Sequence, residues 1–286
     1  MKVYISVDME GVAGIVSLAH STVGGFDYQR GRRFMTGEAA AAARGALAAG
    51  ATEIIVSDGH SANGCRNILI EDLPPEAWLL TGDLRPMGQL QCLDATFDAL
   101  MLVGYHGRHG HSGVLDHTFD SDVIYDIRVN GQAFGEVGLN AAVAGALGVP
   151  VALVTGDDRT VAEAREFMPE VPAVAVKTAV GRHAAESLHP LRAQEAIQAA
   201  ATAGLQTAET LKPLRLNGAV EVEINFKSAG LAARAATIPG VEHRSGSIVG
   251  LEAGDILEAY PLIVLAVEHG ATGHEGVAAR GGAAPR

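Results

Sequence analysis

The chain has 286 residues, with 21 basic and 33 acidic side chains and a formal charge of −12. Apolar residues make up 48% and charged residues 19%, which excludes a disordered chain, a collagen-like repeat and a coiled coil. The acidic balance argues against a nucleic-acid surface, and no apolar run reaches the ~18 residues that a membrane span needs.

The length admits one large domain or two modest ones. Short apolar runs at residues 3–7, 53–56, 77–80, 99–103, 151–154 and 173–176 read as buried strands. Their near-continuous Val, Ile and Leu content suits a sheet covered on both faces. Ala-rich helical segments lie between them. One covers residues 33–49 and ends at Gly50, and another covers 135–147 and ends at Gly148, just before Pro150. A third is expected over 193–211. This alternation is an α/β pattern: a largely parallel sheet with helices on both faces, occupying residues 1–212.

Lys212-Pro213 interrupts the pattern. Residues 220–226 then alternate as a strand, 229–236 look helical, 247–251 extended, and 255–269 helical with a kink expected at Pro261. These describe a smaller C-terminal α/β lobe over 213–270. Residues 271–286 are rich in Gly and Ala without periodicity and are expected to form a flexible tail.

Cys65 and Cys92 sit outside any C-x-x-C pair, and residues 1–8 meet a carboxylate too early for a secretory signal. Two reduced thiols in a cytoplasmic protein is the expectation.

The chemistry gathers after the strands. The first runs into Asp8-Met9-Glu10-Gly11, the second into Ser57-Asp58-Gly59-His60. The strand at 99 runs into Gly104-Tyr105-His106-Gly107, and that at 151 into Thr155-Gly156-Asp157-Asp158. Parallel strands put these ends at one sheet edge, where open α/β sheets place their ligands. Asp8 and Glu10, two apart on an extended chain, point the same way and would repel unless a cation lies between them. Four of the eleven histidines fall at 106, 109, 111 and 117. Imidazole with carboxylate and no cysteine suits a catalytic Zn, Mn or Co site. Glu136, at the start of a helix, is a fifth candidate, and Asn140 lies one turn on.

In this order the motifs resemble the D-aminopeptidase family of zinc peptidases. Ser6-Val7-Asp8-Met9-Glu10-Gly11 looks like that family's S-x-D-x-E-G signature. Ser57 to His60, Gly104-Tyr105-His106, Gly135 to Asn140 and Gly156-Asp157-Asp158-Arg159 continue the match over about residues 1 to 270. The resemblance implies a hydrolase with two Zn2+ per chain, Mn2+ or Co2+ being alternatives. Asp8, Glu10, His60, His106 and Glu136 are then the metal ligands, with Asp8 bridging. It also implies that His117, eleven places after His106, is the catalytic histidine, and that copies assemble into a homo-oligomeric ring, ten copies being one size. His109, His111 and Asp116 are polar groups that the family pattern does not require.

The expected reaction is release of an N-terminal amino acid, a D-residue on the family's account, from a small peptide or aminoacyl amide substrate. His117 is placed to move the proton, stabilise the oxyanion or attack directly, and the sequence leaves these open. Asp58 and Asp157 are candidates for orienting the ligating histidines, with turn and cap roles as the alternative for Asp157 and Asp158. Two rival readings are a metal-dependent phosphoester hydrolase, with Arg108 and Arg159 as its basic residues, and a metal- or peptide-binding protein without catalysis.

Overall fold

The computed structural model describes residues 1–280, with side chains described as far as Thr272. Its centre is β1 (Lys2–Val7), which is buried on both faces after its first residue. Alternate residues serve different layers. Val3, Ile5 and Val7 pack towards α2 (Tyr28–Ala48), which follows the short α1 (Leu18–Ser21), while Tyr4 packs on the opposite side. That two-sided burial is why the run reads as continuously apolar.

β2 (Glu53–Asp58), β3 (Ala77–Leu80) and β4 (Ala99–Tyr105) run parallel to β1. β5 (Ile124–Val129) and β6 (Gln132–Ala133) leave this sheet and pair with each other. After α3 (Glu136–Ala146) the chain returns as β7 (Val151–Asp157), α4 (Asp158–Phe167), β8 (Ala173–Gly181) and β9 (Ala184–Ser187). The seven-stranded sheet has the order β3-β2-β1-β4-β7-β8-β9 and is parallel except where β9 turns back on β8. The expected α/β class with a largely parallel sheet is what is found.

α5 (Pro190–Gln206) lies against α2 on one face of the sheet. Small residues permit the approach: a Cβ on Gly45 would come within 2.6 Å of the Ala201 Cβ, and Thr202 Oγ1 donates to the Gly45 carbonyl at 3.0 Å. A core built from Ala and Val rather than aromatics follows from such close packing.

The remaining elements are β10 (Val220–Phe226), α6 (Ala229–Ala235), β11 (Glu242–Ser245), β12 (Ile248–Ala253) and α7 (Ile256–Arg280). The second sheet has the order β11-β12-β10-β5-β6 and is antiparallel. It therefore does not come from residues after 212 alone, because β5 and β6 supply two of its strands. β5 escapes the sequence pattern because its buried residues Ile124, Ile127 and Val129 do not alternate cleanly, and a bulge displaces the register at its start.

α7 is longer than expected. It contains Pro261 and continues past residue 270 to Arg280, so the first part of the expected tail is helix. Residues 281–286 of that tail lie outside the described residues. Among the described residues no helix is long and apolar enough to cross a membrane.

Candidate metal centre

The strand order places the site. β2 and β4 flank β1, and the connections run one way from β1 to β3 and the other way from β4 to β9, so the chain reverses direction beside β1. Such a reversal opens a crevice at the carboxyl ends of the strands. Asp8 follows β1, His60 follows β2 and His106 follows β4. Glu136 reaches the same crevice from the first turn of α3.

Gly11 makes the convergence possible. Its N–H donates to the Gly104 carbonyl at 2.8 Å, and a Cβ at Gly11 would lie 1.7 Å from the Tyr105 oxygen. The segment carrying Asp8 and Glu10 thus rests directly on the end of β4, beside His106. Lys177 holds it from behind. Its buried ammonium donates to the carbonyls of Glu10, Val12 and Ile15 at 2.5, 3.0 and 2.7 Å. Burial pulls this lysine down to about 8, against the pull of Asp157, Glu38 and Glu10.

Five of the six expected side chains are buried, and His117 is partly exposed to a cavity of about 610 Å³. Asp8 stands between two groups. Its Oδ1 is 3.3 Å from His60 Nδ1, which is 3.1 Å from Glu10 Oε2. Its Oδ2 is 3.2 Å from His106 Nε2, which is 3.4 Å from Glu136 Oε1. Donor atoms of Asp8, Glu10 and His60 lie within 4.8 Å of one another, as do those of His106, His117 and Glu136. The His106 and His117 rings stack with centroids 3.9 Å apart and planes 10° apart.

The imidazoles are oriented by backbone carbonyls. His60 Nε2 meets the Ser21 carbonyl at 2.7 Å, His106 Nδ1 meets Gly107 at 3.0 Å, and His117 Nδ1 meets Leu115 at 2.7 Å. Each of these nitrogens must donate, so a neutral ring turns its lone pair inward. Inward lone pairs facing carboxylate oxygens at 3.1–3.4 Å require a positive charge between them. Glu10 Oε2 and His106 Nε2 are, moreover, buried without a hydrogen-bond partner. The donor set, nitrogen and oxygen without sulfur, fits a divalent transition metal such as zinc.

The electrostatics agree. Burial opposes charge on His60 and His106, yet Glu10 and Asp8 for the first, and Glu136 and Asp8 for the second, carry both well above the usual imidazole value. Burial would raise Asp8, but His106 and His60 hold it well below the carboxylate range. Glu136 is held down to about 2 in the same way, His106 overcoming its burial. His117 moves the other way: burial first, and the neighbouring His106 second, lower it.

Several expected residues stand elsewhere. Asp58 does not touch an imidazole. It accepts from the Asn67 and Ile68 N–H groups and from the Asn67 amide, and that amide also donates to the His60 carbonyl at 2.7 Å. Asp157 caps α4 through Thr160 and also takes the Val114 N–H at 2.6 Å, while Asp158 takes the Ala179 N–H at 2.7 Å. His111 and Arg108 are turned to Glu163 and Glu166, His109 lies beside Tyr125, and Asp116 takes the Gly110 N–H and pairs with Arg182. Arg159 pairs with Asp158. The two basic residues that a phosphoester hydrolase would use are thereby engaged outside the cavity, and among the described residues the arginine lining it is Arg85.

Two supporting groups escape a reading of the sequence. Gln89 donates through Nε2 to Glu136 Oε2 at 2.6 Å, while its Oε1 accepts from Tyr105 Oη at 3.0 Å and Asn140 Nδ2 at 2.6 Å. Tyr260 of α7 donates to Asn140 Oδ1 at 2.8 Å, closing the network. Gln89 lies in an irregular segment with no periodicity to draw notice. Lys177 did leave a signal, as a lone charge inside the otherwise apolar strand β8.

Comparison with known proteins agrees with this arrangement. The D-aminopeptidase family profile matches residues 1–265. The chain belongs to the D-aminopeptidase family. A D-aminopeptidase from Bacillus subtilis (strain 168) is 38% identical over 272 residues, spanning 94% of this chain and 97% of the relative. A solved structure, the Zn-dependent D-aminopeptidase DppA from Bacillus subtilis, a self-compartmentalizing protease, superposes with a TM-score of 0.91 at 36% identity. It covers 94% of this chain and 98% of its own. For this D-aminopeptidase-family chain, the likeness therefore includes both sheets.

Proposed function

We propose that the protein is a zinc-dependent D-aminopeptidase with two ions per chain, held by Asp8, Glu10, His60, His106 and Glu136, and with His117 as its catalytic histidine. The observation that carries the reading is the position of Asp8. Its two oxygens face different imidazoles, His60 with Glu10 on one side and His106 with Glu136 on the other. A carboxylate shared in this way is suited to bridging two cations. Family membership supports zinc and the preference for an N-terminal D-residue.

Zinc at this position supplies Lewis acidity, polarising a scissile carbonyl and lowering the pKa of water. The chain's own residues do the rest. Ser21, Gly107 and Leu115 fix the tautomers of His60, His106 and His117 through their carbonyls. The nearly parallel stacking of the His106 and His117 rings does not aim both in-plane lone pairs at one common ion, which supports a proton-transfer role for His117. His117 lines the cavity with its Nδ1 taken by the Leu115 carbonyl, so its Nε2 is the nitrogen left to exchange a proton with the reacting groups. Glu136, buried and gripped by Gln89 and the Phe119 N–H, stays ionised.

The expected assembly is a homo-oligomer, in keeping with the self-compartmentalizing relative. The test is a panel of D- and L-aminoacyl dipeptides with the zinc-loaded protein. Release of N-terminal D-residues, lost on chelation and restored by zinc, with two ions per chain by elemental analysis, is the expected result. Turnover that survives complete metal removal would refute it.

A further inference from the structure

Among the described residues, Arg85 is a cation without a counter-ion in a cavity lined by carboxylates. It lies on the turn between β3 and β4, where the Gly88 N–H bonds back to its carbonyl at 2.8 Å. Its guanidinium is half-buried and fixed to the end of β2: Nη1 donates to Ser57 Oγ at 3.2 Å and Nη2 to the Asp58 carbonyl at 2.5 Å. Those contacts use two of its five N–H donors, and the neighbouring Cys65 thiol engages the same guanidinium, which leaves further donors for a ligand. Among the described residues no carboxylate lies within ion-pair distance of it. It is also the sole Lys or Arg among the described residues lining the cavity.

Hydrogen bonds connect Arg85 to the metal centre. Ser57 Oγ, which receives Arg85, donates to the Gln89 carbonyl at 3.0 Å, and the Gln89 amide grips Glu136. Asp83, Asp120 and Glu268 line the outer part of the same cavity. A ligand that suits both features carries an ammonium and a carboxylate a short distance apart.

We propose that Arg85 is the subsite for the C-terminal carboxylate of the substrate, so that the preferred substrates are dipeptides whose leaving residue has a free carboxylate. The assignment rests on the aminopeptidase reading, because when a dipeptide is cut after its first residue the leaving residue's carboxylate lies within one residue, about 3.8 Å of chain, of the scissile bond. Arg85 binds that carboxylate through its remaining N–H groups, a charge-assisted pair that the planar guanidinium can make with two parallel bonds. Ser57 and the Asp58 carbonyl hold the guanidinium in place beforehand, which reduces the loss of freedom on binding. Arg85 is a specificity-determining residue and takes no part in proton transfer.

The experiment compares D-alanylglycine with D-alanylglycinamide on the zinc-loaded full chain, since the pair differs only at the carboxylate. The expected wild-type kcat/KM favours the acid by roughly ten- to a hundredfold, carried mainly by KM. Arg85→Met brings the acid-to-amide ratio close to one, and Arg85→Lys keeps part of the preference. Equal wild-type rates for the two compounds, or a ratio unmoved in Arg85→Met, would overturn the proposal while leaving the peptidase reading intact. Calorimetric binding of the same two compounds covers the opposite case. Acid-selective binding that depends on Arg85, without any turnover, would keep the subsite and overturn the peptidase. Absence of acid-selective binding as well would overturn both.

Discussion

His117 lies flat against His106, ring on ring, with its Nδ1 tied to the Leu115 carbonyl. Leu115 holds that carbonyl with a left-handed backbone, φ 53°, in a buried position. The loop is anchored by Val114 N–H to Asp157 and by Arg108 N–H to Glu163. A strained, well-anchored loop ending in an oriented imidazole is built to place one nitrogen.

The first prediction concerns that nitrogen. His117→Ala is expected to keep its full complement of metal and lower kcat by roughly 10²–10⁴-fold, the usual contribution of a general acid or base. Elemental analysis beside steady-state kinetics checks it. A variant that loses metal and activity together would place His117 among the ligands instead.

Gln89 tests the support beneath Glu136. Its amide holds one carboxylate oxygen, leaving the other 3.4 Å from His106 Nε2. Gln89→Ala is expected to weaken zinc binding about ten- to a hundredfold. Competition titration with a fluorescent chelator reads the affinity, and elemental analysis at saturating zinc should still find full loading.

Gly11 tests the docking of the Asp8–Glu10 segment on β4. A methyl group there meets the Tyr105 oxygen at 1.7 Å, so the backbone must move. Gly11→Ala is expected to lose at least about 1–3 kcal/mol of stability, typical of overpacking, and to bind zinc less tightly. Urea unfolding with and without zinc separates the two effects. Wild-type values for both would mean that the close approach is unimportant.

Glu38 gives a pH dependence outside the ligand set. Burial pushes its carboxyl from 4.5 up to about 7, against the Ala13 N–H and Lys177. Between these values the folded protein keeps a proton that the unfolded chain has released. The associated stability is therefore complete below about 4.5 and is lost as pH rises through about 7. Glu38→Gln is expected to gain on the wild type by up to about 3 kcal/mol between pH 5 and 8. Denaturant unfolding of both proteins at each pH, with equal metal, measures the difference. A constant difference across that range would contradict the prediction.

The sequence by itself determined the parallel α/β framework and the residues at its strand ends. Both are local in origin. Runs such as residues 3–7 and 99–103 are apolar on both sides because helices or sheet cover both faces, and parallel strands all deliver their carboxyl ends to one edge. Asp8, Glu10, His60 and His106 are therefore legible as a group from the sequence, with Glu136 a fifth candidate at a helix start, and the family resemblance implies the ligand role of all five.

Tertiary structure alone decided what surrounds them. Gln89 and Arg85 sit on an irregular turn whose sequence carries no period, and their roles come from partners 28 to 51 residues away: Ser57, Glu136 and Asn140. The carbonyls that orient the histidines belong to Ser21, Gly107 and Leu115, and every residue has a carbonyl, so no side-chain pattern could mark them. The second sheet is split across the chain, with β5 and β6 joining β10 to β12, because antiparallel pairing depends on which edges meet and not on adjacency in sequence.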